Sequence, residues 1–167
     1  ANYTSLGITK SDANKSALAD ATDGSLKNLL NDAIGRLPVS AVDTASEIQA
    51  MEKAAENILA VGKGSGNGQT IDGVTYSSDS DWLNGFSLLG VTGVTTNNLA
   101  DIKKAIDTKD IAGNGSLIDT VQELQAIVSL YRINDYASTG NSSSLPTLKD
   151  YQEVCLANNP PDTFDAS

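Results

Sequence analysis

Three groups of residues in this sequence have types and spacings that chemistry can use. The first is the polar run from Asp107 to Leu117, in which Asp107, Asp110 and Asn114 precede Gly115. Oxygen ligands spaced along a glycine-containing loop are how EF-hand loops hold calcium. Setting Gly115 at that loop's obligatory glycine places Asp110 at its first position and Asn114 at its fifth. Ala112 and Val121 then fall on the third and twelfth, so two central ligands are missing. Calcium is therefore the one cofactor with candidate ligands, Asp107, Asp110 and Asn114, and otherwise none is expected.

The second group is aromatic. Tyr76, Trp82 and Phe86 cluster beside a turn signal, and Tyr and Trp are favoured at binding hot spots. Exposed, they would form a recognition patch. Turned inward, Trp82 and Phe86 would plug a helical core while Tyr76 packs the neighbouring segment down. The third group is the carboxylates. Acid–base hydrolysis needs two of them held in a cleft, but Glu47, Glu52, Glu56 and Glu123 are accounted for as helix caps and solvated faces. With no histidine and one cysteine, Cys155, zinc and haem have almost no ligands and His-based triads are excluded. The run Gly64-Ser65-Gly66-Asn67-Gly68 neither follows a strand nor ends in Lys-Ser/Thr, so it is no phosphate loop. The expectation is a protein that is not an enzyme.

The elements that must position these residues are helices, and the chain writes some of them twice. Val42-Asp43-Thr44-Ala45-Ser46-Glu47-Ile48-Gln49-Ala50 returns 76 positions later as Ile118-Asp119-Thr120-Val121-Gln122-Glu123-Leu124-Gln125-Ala126. A threonine three residues ahead of a glutamate, before an apolar run, is the capping-box signature of a helix start. A second repeated phrase is Tyr3 to Thr9, matched by Phe86 to Thr92: an aromatic, three residues, glycine, a β-branched residue, threonine. Tyr136 to Gly140 and Tyr151 to Cys155 echo it in part. A glycine there closes a helix by taking positive φ. Cysteine at 155 departs from that pattern, so the third copy looks started and cut off.

In order, Ser11 or Asp12 caps a helix to about Ala21. Ser25 opens another with apolar positions 26, 29, 30, 33, 34 and 37, which Pro38 stops. The first repeated helix runs from about Thr44 to Val61 with Ile48, Met51, Ala55, Ile58 and Leu59 on one face. Gly62 to Gly68 is a flexible loop with four glycines in seven residues. In Thr70-Ile71-Asp72-Gly73-Val74-Thr75, Asp-Gly between β-favouring pairs predicts a small hairpin. Ser80 or Asp81 caps a short helix carrying Trp82, Leu83, Phe86 and Leu89. Thr96 caps the next, to about Ile106. The second repeated helix spans Thr120 to about Tyr136, and Thr147 caps a last one from Leu148 to Leu156. From glycine to aspartate the first unit measures 36 residues (Gly7 to Asp43) and the second 29 (Gly90 to Asp119), so the first has an enlarged middle.

Composition bounds the partners. The chain has 167 residues, 40% apolar but 5% aromatic, and a net charge of −10. That charge disfavours nucleic acid, whose phosphates need clustered Lys and Arg, and anionic membrane surfaces as well. No run of 18 apolar residues predicts membrane insertion. The abrupt start at Ala1-Asn2-Tyr3, inside a repeated phrase, reads as an excision from something longer.

The succession Leu-Gly-Ile/Val-Thr, an Asn/Ala/Leu-rich helix, then Asp-Thr-x-x-Glu-Ile/Leu-Gln-Ala resembles the small three-helix repeats of very large bacterial surface proteins. It is similar, more distantly, to the albumin-binding GA modules of Gram-positive surface proteins. The resemblance covers roughly residues 1–61 and 82–136, with a fragment at 145–156. The hairpin and the enlarged middle have no counterpart in a minimal GA module, and no albumin-contacting residue is carried over. The resemblance implies cell adhesion and an extracellular or cell-surface location. The expected fold is all-α: tandem three-helix or four-helix bundle repeats with a minor β-hairpin between them. Residues 1–61 form unit one, 62–81 the linker, 82–139 unit two, and 140–167 a linker with a truncated third repeat. The expected role is a spacer or a module binding a protein or glycan ligand, with adjacent repeats of the same chain as neighbours. A calcium-stabilised extracellular domain and a small hydrolase using a carboxylate pair are the alternatives.

Overall fold

The computed structural model describes residues 24–62, 70–71, 74–109 and 115–158, whose regular secondary structure is helical apart from one pair of two-residue strands. The predicted phrase at Tyr3 to Thr9, the helix to Ala21 and the Gly-rich loop at 63–69 lie outside the described residues. Helix α1 covers Ser25–Arg36 and buries the predicted stripe of Leu26, Leu29, Leu30 and Ala33. Leu37 leaves it extended (φ −86°, ψ 153°), the backbone that a following proline imposes. A 3₁₀ turn, Val39–Ala41, leads into α2, Ala45–Gly62.

Helix α2 starts as the sequence requires. The Thr44 N–H donates to Glu47 Oε2 at 3.0 Å, and the Glu47 N–H to Thr44 Oγ1 at 3.2 Å. The repeated helix α5, Val121–Thr139, has the same reciprocal pair between Thr120 and Glu123 at 3.0 and 3.2 Å. The duplicated phrase thus does one job twice: it satisfies amide donors that a helix start leaves orphaned.

Strands β1 (Thr70–Ile71) and β2 (Val74–Thr75) pair antiparallel, Thr70 opposite Thr75, with β1 lying along α2. The turn residues Asp72 and Gly73 lie outside the described residues. Helix α3, Asp79–Leu88, is capped by Ser78 rather than by Ser80 or Asp81. Asp81 is instead the third helical residue, accepting from the Ser78 N–H at 3.0 Å. Aspartate here takes the reciprocal role usually given to glutamate.

The second repeated phrase closes α3. The Val91 N–H donates to Phe86 O at 3.0 Å and the Gly90 N–H to Ser87 O at 2.9 Å, with Gly90 at φ +79°. This is a Schellman closure, whose apolar clasp joins the residue after the glycine to one in the last turn. Val91 and Phe86 fill those places, and both are buried. That is why an aromatic and a β-branched residue flank the glycine. Gly140 (φ +66°) closes α5 more simply, its N–H donating to Tyr136 O at 2.9 Å.

Helix α4, Leu99–Lys109, begins after a turn fixed by Asn98 rather than at a Thr96 cap. The Asn98 Oδ1 accepts from the Thr95 N–H at 2.7 Å, and its Nδ2 donates to Gly93 O at 2.9 Å. A 3₁₀ turn, Ser142–Ser144, precedes α6, Leu148–Asn158, which runs through Cys155 without a break. Its cap repeats the device of α3: the Thr147 N–H donates to Asp150 Oδ2 at 2.7 Å and the Asp150 N–H to Thr147 Oγ1 at 3.3 Å.

One hydrophobic cluster gathers α1 to α5, from Leu26 through Met51, Ile58, Phe86 and Ile102 to Leu124 and Val128. It joins the two helices, α2 and α5, that begin with the repeated capping phrase. Polar stitches reinforce the join, with the Asn28 Nδ2 donating to Asp119 Oδ2 at 2.9 Å and the Val121 N–H to Asp32 Oδ2 at 2.8 Å. Helix α6 packs on α5, held by an Arg132–Asp150 ion pair at 3.1 Å in which the carboxylate is buried.

Candidate functional site

Tyr76, Trp82 and Phe86 do come together, but beneath the surface, at 6%, 3% and 1% exposure. Tyr76 follows directly on β2, and Trp82 and Phe86 sit one turn apart on α3. The Trp82 Nε1–H donates to the Tyr76 carbonyl at 3.1 Å, and the two rings meet edge to face with centroids 5.3 Å apart. Lys103 of α4 lays its ammonium 4.1 Å from the Trp82 ring centre, a cation–π contact. Burial lowers the Lys103 pKa, and Asp79 partly opposes that. Burial, with Asp81 nearby, raises the Tyr76 phenol.

The exposed recognition patch expected as one use of these residues is therefore corrected. Tyr76 descends onto α3 because Gly85 leaves room: a Cβ there would stand 2.6 Å from Tyr76 Cε2. Lys103 covers a face of the indole. The cluster fastens the hairpin's exit to α3 and α4. Gly85 was the signal for it, since a glycine inside a helical pattern marks close approach.

Of the calcium candidates, Asp107 is exposed on α4, while Asp110 and Asn114 lie outside the described residues. No group of three His, Cys, Asp or Glu side chains that could hold a metal ion occurs among the described residues. Among the same residues, no helix is long and apolar enough to cross a membrane.

A concave feature lies elsewhere. A cavity of 1120 Å³ runs along the outer face of α5, walled by α4 on one side and by Val154 and Ala157 of α6 on the other. Its floor is Ala126, Ile127 and Leu130, the last 46% exposed. Tyr131 reaches from the floor to the α4 wall, donating to Asp101 Oδ2 at 3.2 Å. Burial, with Asp135 and Asp101 nearby, raises the Tyr131 pKa.

Glu123 lines the same groove. Burial raises its pKa and Asp119 adds to that, against the lowering effect of the Thr120 hydrogen bonds. Its Oε2 is already engaged, accepting from the Thr120 N–H and hydroxyl at 3.0 and 2.9 Å. The groove offers an apolar floor with mixed charges at its rim, among them Lys104 and Asp135. Such a surface suits the apolar stripe of a helix.

No signal within the second unit alone marked this groove. It emerges only when the two repeated helices are read against each other. Leu130 and Asn134 stand where α2 has Ala54 and Ile58, and both of those are fully buried. No protein-family model, no curated protein and no solved structure matches this chain.

Proposed function

We propose that this chain is a non-enzymatic segment of a repeat array in a bacterial extracellular or surface protein, and that it serves as a spacer in adhesion. One observation carries the reading: the chain's aromatic cluster is spent inside the fold. Trp82 and Tyr76 fasten the connecting hairpin to α3 and α4 and leave no aromatic face there for a ligand. A joint pinned in this way is stiff, and stiffness at the joints is what a spacer requires. The duplicated capping boxes and helix closures support an array whose units contact their neighbours, as solenoid repeats do.

The test uses the single tryptophan of the full chain. Urea unfolding followed by Trp82 fluorescence and by helical circular dichroism is expected to give coincident transitions, as one cooperative body does. Panels of glycans and serum proteins are expected to give no saturable binding. Saturable capture of either class would replace the spacer reading with that of a ligand-binding module.

A further inference from the structure

The helix caps bring α6 into register with α3. Ser78 with Asp81 and Thr147 with Asp150 are the same device, and matching them sets Tyr151 at the place of Trp82 and Cys155 at that of Phe86. Trp82 and Phe86 are buried, whereas Tyr151 is half exposed and Cys155 is exposed. The Thr–Glu boxes bring α5 into register with α2 in the same way. Ala54 and Ile58 are fully buried on α2, while their counterparts Leu130 and Asn134 are exposed on α5.

On the first pair of helices, α4 lies in the angle between α2 and α3 and packs against both. Its own buried stripe is Leu99, Ile102 and Ile106, and its Lys103 covers Trp82. Helices α5 and α6 present the equivalent two surfaces to solvent. The groove runs along α5 with α4 as one wall and Val154 and Ala157 of α6 as the other; Tyr151 stands one turn before Val154 on α6.

We propose that this groove takes an amphipathic helix of α4's kind, the second helix of a following repeat unit. The proposal rests on the repeat-array reading above and names the surface through which one unit engages the next. The incoming stripe, apolar at positions equivalent to 99, 102 and 106, covers Leu130 and Ile127. Its lysine equivalent to Lys103 stands over Tyr151 as Lys103 stands over Trp82. The groove's rim carries Asp101, Glu123 and Asp135 alongside Lys104 and Lys109, so the apolar stripe rather than net charge selects the occupant.

The experiment titrates the isotope-labelled full chain with a peptide of residues 95–109. A lactam between Lys104 and a Thr108→Asp side chain holds the peptide helical, and both positions face away from the stripe. Amide shifts are read by NMR to millimolar peptide. The expected result is a saturable shift confined to α5 from Ala126 to Asp135 and to α6. Leu130→Lys and Tyr151→Ser in the chain are each expected to weaken binding at least tenfold. Both side chains are exposed, so both variants keep the parent spectrum elsewhere.

A peptide with Ile102→Ser and Ile106→Ser is expected to leave the spectrum unmoved. Absence of shifts, shifts elsewhere, or equal binding by Leu130→Lys would overturn the proposal. So would line broadening of the peptide-free chain, with concentration, at the groove alone, because a second copy would then be the occupant. The glycan and serum-protein panels judge the spacer reading separately, since they need no helix in the groove.

Discussion

Gln125 grips the backbone of Thr92 in both directions. Its Oε1 accepts from the Thr92 N–H at 2.9 Å and its Nε2 donates to the Thr92 carbonyl at 3.1 Å. Thr92 ends one repeated phrase and Gln125 belongs to the other, so at this place the two phrases touch. Gln125 is buried, and Gln125→Ala removes both bonds, although Thr92 itself is exposed. A loss of about 1 kcal/mol is expected, since water can take over the freed backbone groups, measured by urea unfolding. Gln125→Glu is expected to be worse at neutral pH, because a carboxylate cannot donate to the Thr92 carbonyl.

Gly85→Ala is a helix-favouring change, worth about 1 kcal/mol by propensity alone. Tyr76 reverses its sign. With Cε2 2.6 Å from the new methyl, the ring must lift, and overpacking of this kind costs about 1–3 kcal/mol. Net destabilisation and altered Trp82 emission are expected. Gly85→Ala combined with Tyr76→Leu is expected to recover part of the loss, which a double-mutant cycle will measure.

The docking of α6 is expected to be acid-sensitive. Burial by itself would raise the Asp150 pKa, but bonds from the Thr147 backbone and hydroxyl and the Arg132 charge together hold it below the ordinary 3.8. A carboxyl depressed by folding contributes stability above its unfolded value, and that contribution is lost as pH falls through the folded one. The α6 amides are therefore expected to lose hydrogen-exchange protection below about pH 4, ahead of the core. Glu123 works in the opposite sense. Its raised value penalises folding when it is ionised, and acid relieves that penalty. Asp150→Asn is expected to cost about 2 kcal/mol at neutral pH, since it leaves Arg132 without its counter-charge, and to flatten the acid response of α6.

Chelator provides the metal test. The spacer reading expects the thermal midpoint of the full chain to be the same in excess calcium and in EDTA. A midpoint raised by calcium and returned by EDTA would favour the calcium-stabilised alternative and direct attention to Asp107, Asp110 and Asn114. Loss of the response in Asp110→Asn would then locate the ion.

The legible parts of this fold were local. The stripe of α1, the caps at Thr44, Thr120 and Thr147 and the closure at Gly140 each depend on residues within one or two turns, so spacing alone reveals them. The Ser78 cap was missed because Asp79, Ser80 and Asp81, which follow it directly, are cap formers too, and the start of α4 because its turn is held by a side chain at Asn98. Contacts between distant segments left no trace of that kind. Gln125 on Thr92 spans 33 residues, and nothing in either neighbourhood announces it. The inward turn of Trp82 was one of two open readings, and what decided it was Gly85 beneath Tyr76 and Lys103 above the indole. The groove was legible only as a difference between copies, Leu130 and Asn134 against Ala54 and Ile58.

Asp32 carries a consequence for how this chain acquires its structure. Its carboxylate on α1 accepts from the Val121 amide, 89 residues further on, alongside its one-turn bond to Arg36. Joining segments so far apart costs loop-closure entropy before any contact repays it. A chain emerging N-terminus first holds α1 and α2 for the time it takes to make some sixty further residues, with the α5 side of α1 still waiting. The core closes only when α5 arrives. Sequence repetition here does not give unit-by-unit maturation: the first copy ripens with the second.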